Sequence, residues 1–84
     1  KQAYIITSKP DEISREIMDK LDRGVTGIHG KGMYSGQDKL LLYCVVGRKE
    51  IVALKELVDH IDPDAFLIVS DVREVHGEGF IERK

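Results

Sequence analysis

KLLLYCVVG, residues 39–47, is apolar at almost every position, and how it packs decides the fold. Alternation puts Leu40, Leu42, Cys44 and Val46 on one side of a strand and Leu41, Tyr43 and Val45 on the other. A strand that is apolar on both sides belongs in the middle of a sheet with both of its faces covered. The segment before it, VTGIHGKGMY (25–34), is a β run weakened by Gly27, Gly30 and Gly32, and this suits a sheet edge. SGQD (35–38) is a turn that joins the two into a hairpin.

Working outward, AYIIT (3–7) reads as a first strand and AFLIVSDV (65–72) as a fourth. Ile13, Ile17 and Leu21 recur at four-residue spacing and predict a helix over 10–22, with Pro10 near its start, Asp11 and Glu12 in its first turn and Gly24 past its end. Ile51, Leu54, Val58 and Ile61 predict a second helix over 48–60, limited by Pro63. The order βαββαβ, with short connections and right-handed crossovers, predicts an α+β, ferredoxin-like sandwich: an antiparallel sheet of order 4-1-3-2 with both helices on one face. The tail, REVHGEGFIERK (73–84), adds a short strand or folds over an edge.

In the fourth strand, Ala65, Leu67 and Val69 oppose Phe66 and Ile68, so the face without helices is also apolar. A patch of that size marks an interface, and the expectation is a closed homo-oligomer; the alternative is cover by the C-terminal tail.

Composition narrows the function. The 84 residues are read as one domain, 1–84. Thirteen basic against fifteen acidic residues leave a net charge of −2, without the basic footprint of a nucleic-acid binder. One cysteine excludes an internal disulfide, and no apolar run is long enough to span a bilayer. His29, His60 and His76 lack metal-ligand spacing. No nucleophile elbow or His-Glu-x-x-His motif is present, and no enzyme or cofactor is expected. The chain opens at Lys1 without a methionine, as expected of a piece of something longer.

Candidate ligand-binding residues fall in three places. Gly30, Lys31, Gly32, Tyr34 and Gly36 offer glycine backbone, a cation and a ring for a small anion, although the pattern is neither a P-loop nor a dinucleotide fingerprint. An edge strand closed by a Ser-Gly turn explains the same residues. Arg48 stands at a helix start, where a cation is disfavoured unless an anion or carboxylate partners it. His76, Gly77, Glu78 and Gly79 place an imidazole and a carboxylate on a glycine-flanked segment, which also reads as a surface turn.

GKGMYSGQDKLLLYCVVGRKEI (30–51) and HIDPDAFLIVSDVREVHGEGF (60–80) closely resemble the C-terminal soluble domain of YitT-type bacterial membrane proteins, a domain of unknown function. That family is similar in fold to the PII signalling proteins, trimers that bind ligands in clefts between subunits. The resemblance implies a trimeric sensor on the cytoplasmic side of the membrane, binding a small anionic metabolite or nucleotide, with membrane-spanning helices upstream of Lys1. A non-binding oligomerisation domain is the alternative. The acidic turn Asp62-Pro63-Asp64-Ala65 stands where PII proteins hold nucleotide phosphates and departs from their pattern.

Overall fold

A computed structural model describes residues 1–77. Its elements are β1 (Gln2–Ile6), α1 (Pro10–Glu16) continued by a π-helical turn (Ile17–Leu21), β2 (Thr26–Lys31), β3 (Asp38–Val45), α2 (Ile51–Ile61) entered through a 3-10 turn (Arg48–Glu50), and β4 (Phe66–Ser70). The sheet order is β2-β3-β1-β4 with every pairing antiparallel, which is the expected order read from the other edge. The two-sided apolar strand is central, and the glycine-rich one lies at an edge.

The core lies between the helices and one sheet face. Ala3 and Ile5 of β1, Leu42 and Cys44 of β3, and Val46 just past β3 meet Ile13 and Ile17 of the first helix and Leu54 and Val58 of α2. Leu67 and Val69 of β4 complete the layer. Each large aliphatic side chain buried here contributes about 1.5–3 kcal/mol. Burial also pushes the Cys44 thiol up to about 11, with the charge of Glu50 adding to it.

The helix ends are set by particular groups. Pro10 opens α1, and Asp11 and Glu12 lie in its first turn, favourable against the helix dipole. The chain leaves the π turn through Asp22 in the left-handed region (φ 56°), so Asp22 rather than Gly24 makes the reversal. At the start of α2 the Glu50 carboxylate accepts the Gly47 amide at 2.6 Å and the Arg23 Nε at 3.1 Å, tying the exit of the first helix to the start of the second.

Asp62 is the buried acidic residue of the described chain. Its carboxylate accepts the Thr7 hydroxyl at 2.5 Å, the Ser8 amide at 3.2 Å and the Asp64 amide at 3.1 Å. The Thr7 bond, helped by the two amides and by Lys9, holds its carboxyl below the ordinary range although burial opposes this. The acidic turn therefore fastens the end of α2 to the loop leaving β1.

Candidate functional site

The sheet face away from the helices carries two rows that cross all four strands. One is Ile28–Leu41–Ile6–Phe66 and the other is Thr26–Tyr43–Tyr4–Ile68. Beside them lie Val45, Gln2 and Ser70, and towards the hairpin Gly30 and Lys39. Phe66 and Ile68 are 68% and 51% exposed. Among these strand residues Lys39 carries a charge and no carboxylate is present, in a chain that is 33% charged. Three of the polar side chains here are linked: the Tyr43 hydroxyl donates to Gln2 Oε1 at 3.0 Å, and Gln2 Nε2 donates to Ser70 Oγ at 3.0 Å. The Tyr4 and Tyr43 rings pack at 5.0 Å. Polar groups paired in this way lose little when water leaves them.

The expected site residues fall at opposite ends of this face. β3 has eight residues and is about 25 Å long. At its start, β2 and β3 run past the last β1 pair, Ile6 with Leu41, as a two-stranded arm that carries Gly30, Lys31, Gly32, Tyr34 and Gly36. Beyond the far end of β3 lies Arg48, and beyond the adjacent end of β4 lies Asp71. One subunit does not bring the hairpin residues and Arg48 together.

At the arm, backbone groups are used within the turn. The Gly32 amide donates to the Gln37 carbonyl at 2.8 Å, the Gly36 amide to the Gly32 carbonyl at 2.7 Å, and the Gln37 amide to Ser35 Oγ at 3.2 Å. Gly36 has φ 74°, which glycine adopts without strain. Anion binding here would draw on the Lys31 and Tyr34 side chains more than on those three amides. Met33 is 87% exposed and Tyr34 fully so.

At the far end, Lys1 Nζ pairs with Asp71, and this bond, with the charges of Lys1 and Arg48, holds the Asp71 carboxyl below its ordinary range. Arg48 thus has a carboxylate of its own chain nearby. His76 Nε2 lies 3.2 Å from Glu74 Oε1, both exposed. Glu78 and Gly79 lie outside the described residues.

A groove of about 660 Å³ lies on the helical side, outside the sequence-derived candidates. Leu21, Ala53, Leu57 and Ile61 line it together with Glu12, Arg15, Glu16, Lys20, Glu56 and His60. Sequence reading missed it because it forms only where the two helices meet. Among the described residues, no group of three His, Cys, Asp or Glu side chains is placed to hold a metal ion, and no helix is long and apolar enough to cross a membrane.

Residues 23–77 match the family model for an uncharacterized protein conserved in bacteria, DUF2179. This chain belongs to the DUF2179 family. The DUF2179 chain is 50% identical over 80 residues to the UPF0750 membrane protein YpjC of Bacillus subtilis, covering 95% of this chain and 28% of that one. Against the UPF0750 membrane protein YitT of the same organism it is 33% identical over 75 residues, covering 89% and 27%. It thus spans less than a third of the length of these relatives. A crystal structure of a DUF2179 protein from Eubacterium ventriosum superposes with a TM-score of 0.72 at 33% identity, over 82% of this chain and 94% of that one.

Proposed function

We propose that this DUF2179 domain is a cytoplasmic regulatory module of a bacterial membrane protein, which assembles with copies of itself through the open sheet face and binds a small anionic metabolite or nucleotide between copies. The carrying observation is that face: rows rich in apolar side chains, no carboxylate among its strand residues, and Gln2, Tyr43 and Ser70 linked to one another. The relatives' description as membrane proteins supports attachment to a transmembrane part. The separation of Lys31 and Tyr34 from Arg48 supports a site that needs two copies, and three is the number that the PII resemblance implies. The module is read as non-enzymatic. Thermal-shift measurement with nucleotides and phosphorylated metabolites up to millimolar concentration tests the ligand role; stabilisation should rise with the logarithm of ligand concentration, and its absence for all of them would sink that role.

A second reading, an assembly domain without a ligand, is favoured by the turn amides being spent within the hairpin. Deleting the domain from a full-length relative separates the two. Loss of oligomerisation alone supports assembly, whereas loss of metabolite response in a protein that still assembles supports sensing.

A further inference from the structure

The two edges of the sheet are unlike. β2 is interrupted by Gly27 and Gly30 and ends in Lys31, devices that blunt an edge against pairing. β4, with the sequence FLIVS, has no charge, no glycine and no proline, and its partner in the sheet is β1. An uncharged, unbroken edge strand offers its outward amides and carbonyls to another strand. Beside it runs α2, and a groove of about 370 Å³ between the two is lined by Val58, Ala65 and Leu67 together with Lys55, Asp59 and Asp62.

Lys55 and Asp59 stand one turn apart on the flank of α2 that faces this edge, at a spacing where opposite charges can meet. Neither makes an ion pair or a hydrogen bond among the described residues. We propose that β4 pairs antiparallel with β4 of a second copy about a two-fold axis through Ile68, with Lys55 of each copy bonded to Asp59 of the other. The inference does not rest on the open-face assembly. It uses the edge of the sheet and sets the helix-free faces of the two copies side by side on one doubled sheet.

Self-complementarity commits the occupant to a second copy. An antiparallel register centred on Ile68 sets Leu67 opposite Val69 on the core side and Phe66 opposite Ser70 on the open side, with no charge in the ladder. The charges flank the same centre. α2 ends at Ile61 and β4 begins at Phe66, after a turn closed by the Ala65 amide donating to the Asp62 carbonyl at 3.0 Å. Leu57 lies about 6 Å back along the helix from that end and Ile68 about 7 Å into the strand, so the two are level. Lys55 and Asp59 therefore stand equally far on either side of the axis, and a two-fold, which runs α2 antiparallel to its copy, exchanges their levels. Strands about 4.8 Å apart, with α2 above the β1 and β4 half of each sheet, put the two helix axes about 10–14 Å from one another, a span that a lysine and an aspartate bridge. The pairing also closes the two grooves against each other, taking Val58, Ala65 and Leu67 out of water. An extended segment of another protein would need the strand edge alone, whereas charges reciprocal about its centre ask for a copy.

The test uses Lys55→Asp, Asp59→Lys and the double reversal, with the assembly constant measured by sedimentation equilibrium at low salt and the unfolding of each variant followed by circular dichroism. Each single reversal turns both attractive pairs of a dimer into repulsive ones and is expected to weaken assembly about tenfold with the fold intact, while the double reversal restores it to within about threefold. Amide exchange gives a second readout. Above the dissociation constant, the outward amides of residues 66–70 should be protected in the wild type and should exchange at the monomer rate in either single reversal. Single reversals that assemble like the wild type, a double reversal as weak as the product of its parts, or a wild-type chain that stays monomeric would overturn the edge pairing. So would protection of β4 that is independent of concentration and vanishes when residues 78–84 are deleted, because the chain's own end would then be the occupant. Phe66 and Ile68 belong both to β4 and to the open face, so Phe66→Ser/Ile68→Ser weakens either contact. If that variant dissociates the protein while the single reversals do not, the edge pairing falls and the open-face reading stands; rescue by the double reversal upholds the edge whatever the face does.

Discussion

Replacing Phe66 and Ile68 together by serine removes the two most exposed apolar side chains of the open face and nothing from the core. Full burial of such a side chain contributes about 1.5–3 kcal/mol, so covering the 68% and 51% left exposed contributes about 2–3.5 kcal/mol per copy. A symmetric pair doubles this to about 4–7 kcal/mol, a rise of roughly 10³- to 10⁵-fold in the dissociation constant. Sedimentation velocity across a micromolar dilution series reads this directly. The expected outcome is a wild-type oligomer and a variant that stays monomeric while keeping its helical signal and unfolding cooperatively. A wild-type chain that is monomeric at about 100 μM, or a variant that assembles with the wild-type constant, would refute the reasoning, because the apolar rows would then be stable in water.

Other outcomes follow from the interior. Leu54→Ala removes a fully buried side chain from between α2 and the sheet and should cost about 2–5 kcal/mol in urea unfolding, a large share of the stability of so small a domain. Asp62 has a lowered carboxyl pKa in the fold, so its contribution is fully present above the unfolded value and is lost as pH falls through the folded one. Acid unfolding should therefore begin at a higher pH in Asp62→Asn, and coincident acid profiles would count against the clasp. Cys44 is raised from 9.0 to about 11, so its contribution is complete below the unfolded value and drains away as pH rises towards 11. At pH 8 its thiol should react with aromatic disulfide reagents only as fast as the chain opens, whereas immediate reaction would show an accessible sulfur. Glu50→Ala removes the acceptor of the Gly47 amide and of Arg23 and should cost about 1–2 kcal/mol, seen as a lower thermal midpoint.

Strand order was legible because periodicity and connection rules act locally. Leu40 to Val46 alternate between two apolar sides, and only a central strand tolerates that. The helix termini were less legible. Nothing in IMDKL announces a π turn, and the reversal passed to Asp22 because the left-handed region admits aspartate as well as glycine. The clasp at Asp62 joins residues 55 apart in sequence, a pairing that composition cannot reveal, and so the acidic turn was read against phosphate chemistry when its first task is structural. Arg48 was marked from its place at a helix start, and the charge of Asp71, which lies beyond the end of β4, could be related to it only in the fold. The division of the candidate residues follows from the length of β3, whose two flanking loops lie at opposite ends of the sheet.

Placing the hairpin arm and Lys1 at opposite ends of the strands makes the sheet a lever. Four hydrogen-bonded strands resist bending along their length, so a push on the arm reaches the Lys1 end as a tilt of the whole slab, with its internal distances preserved. The Asp71 pair beside Lys1 sits where such a tilt would be felt, at the end remote from the hairpin.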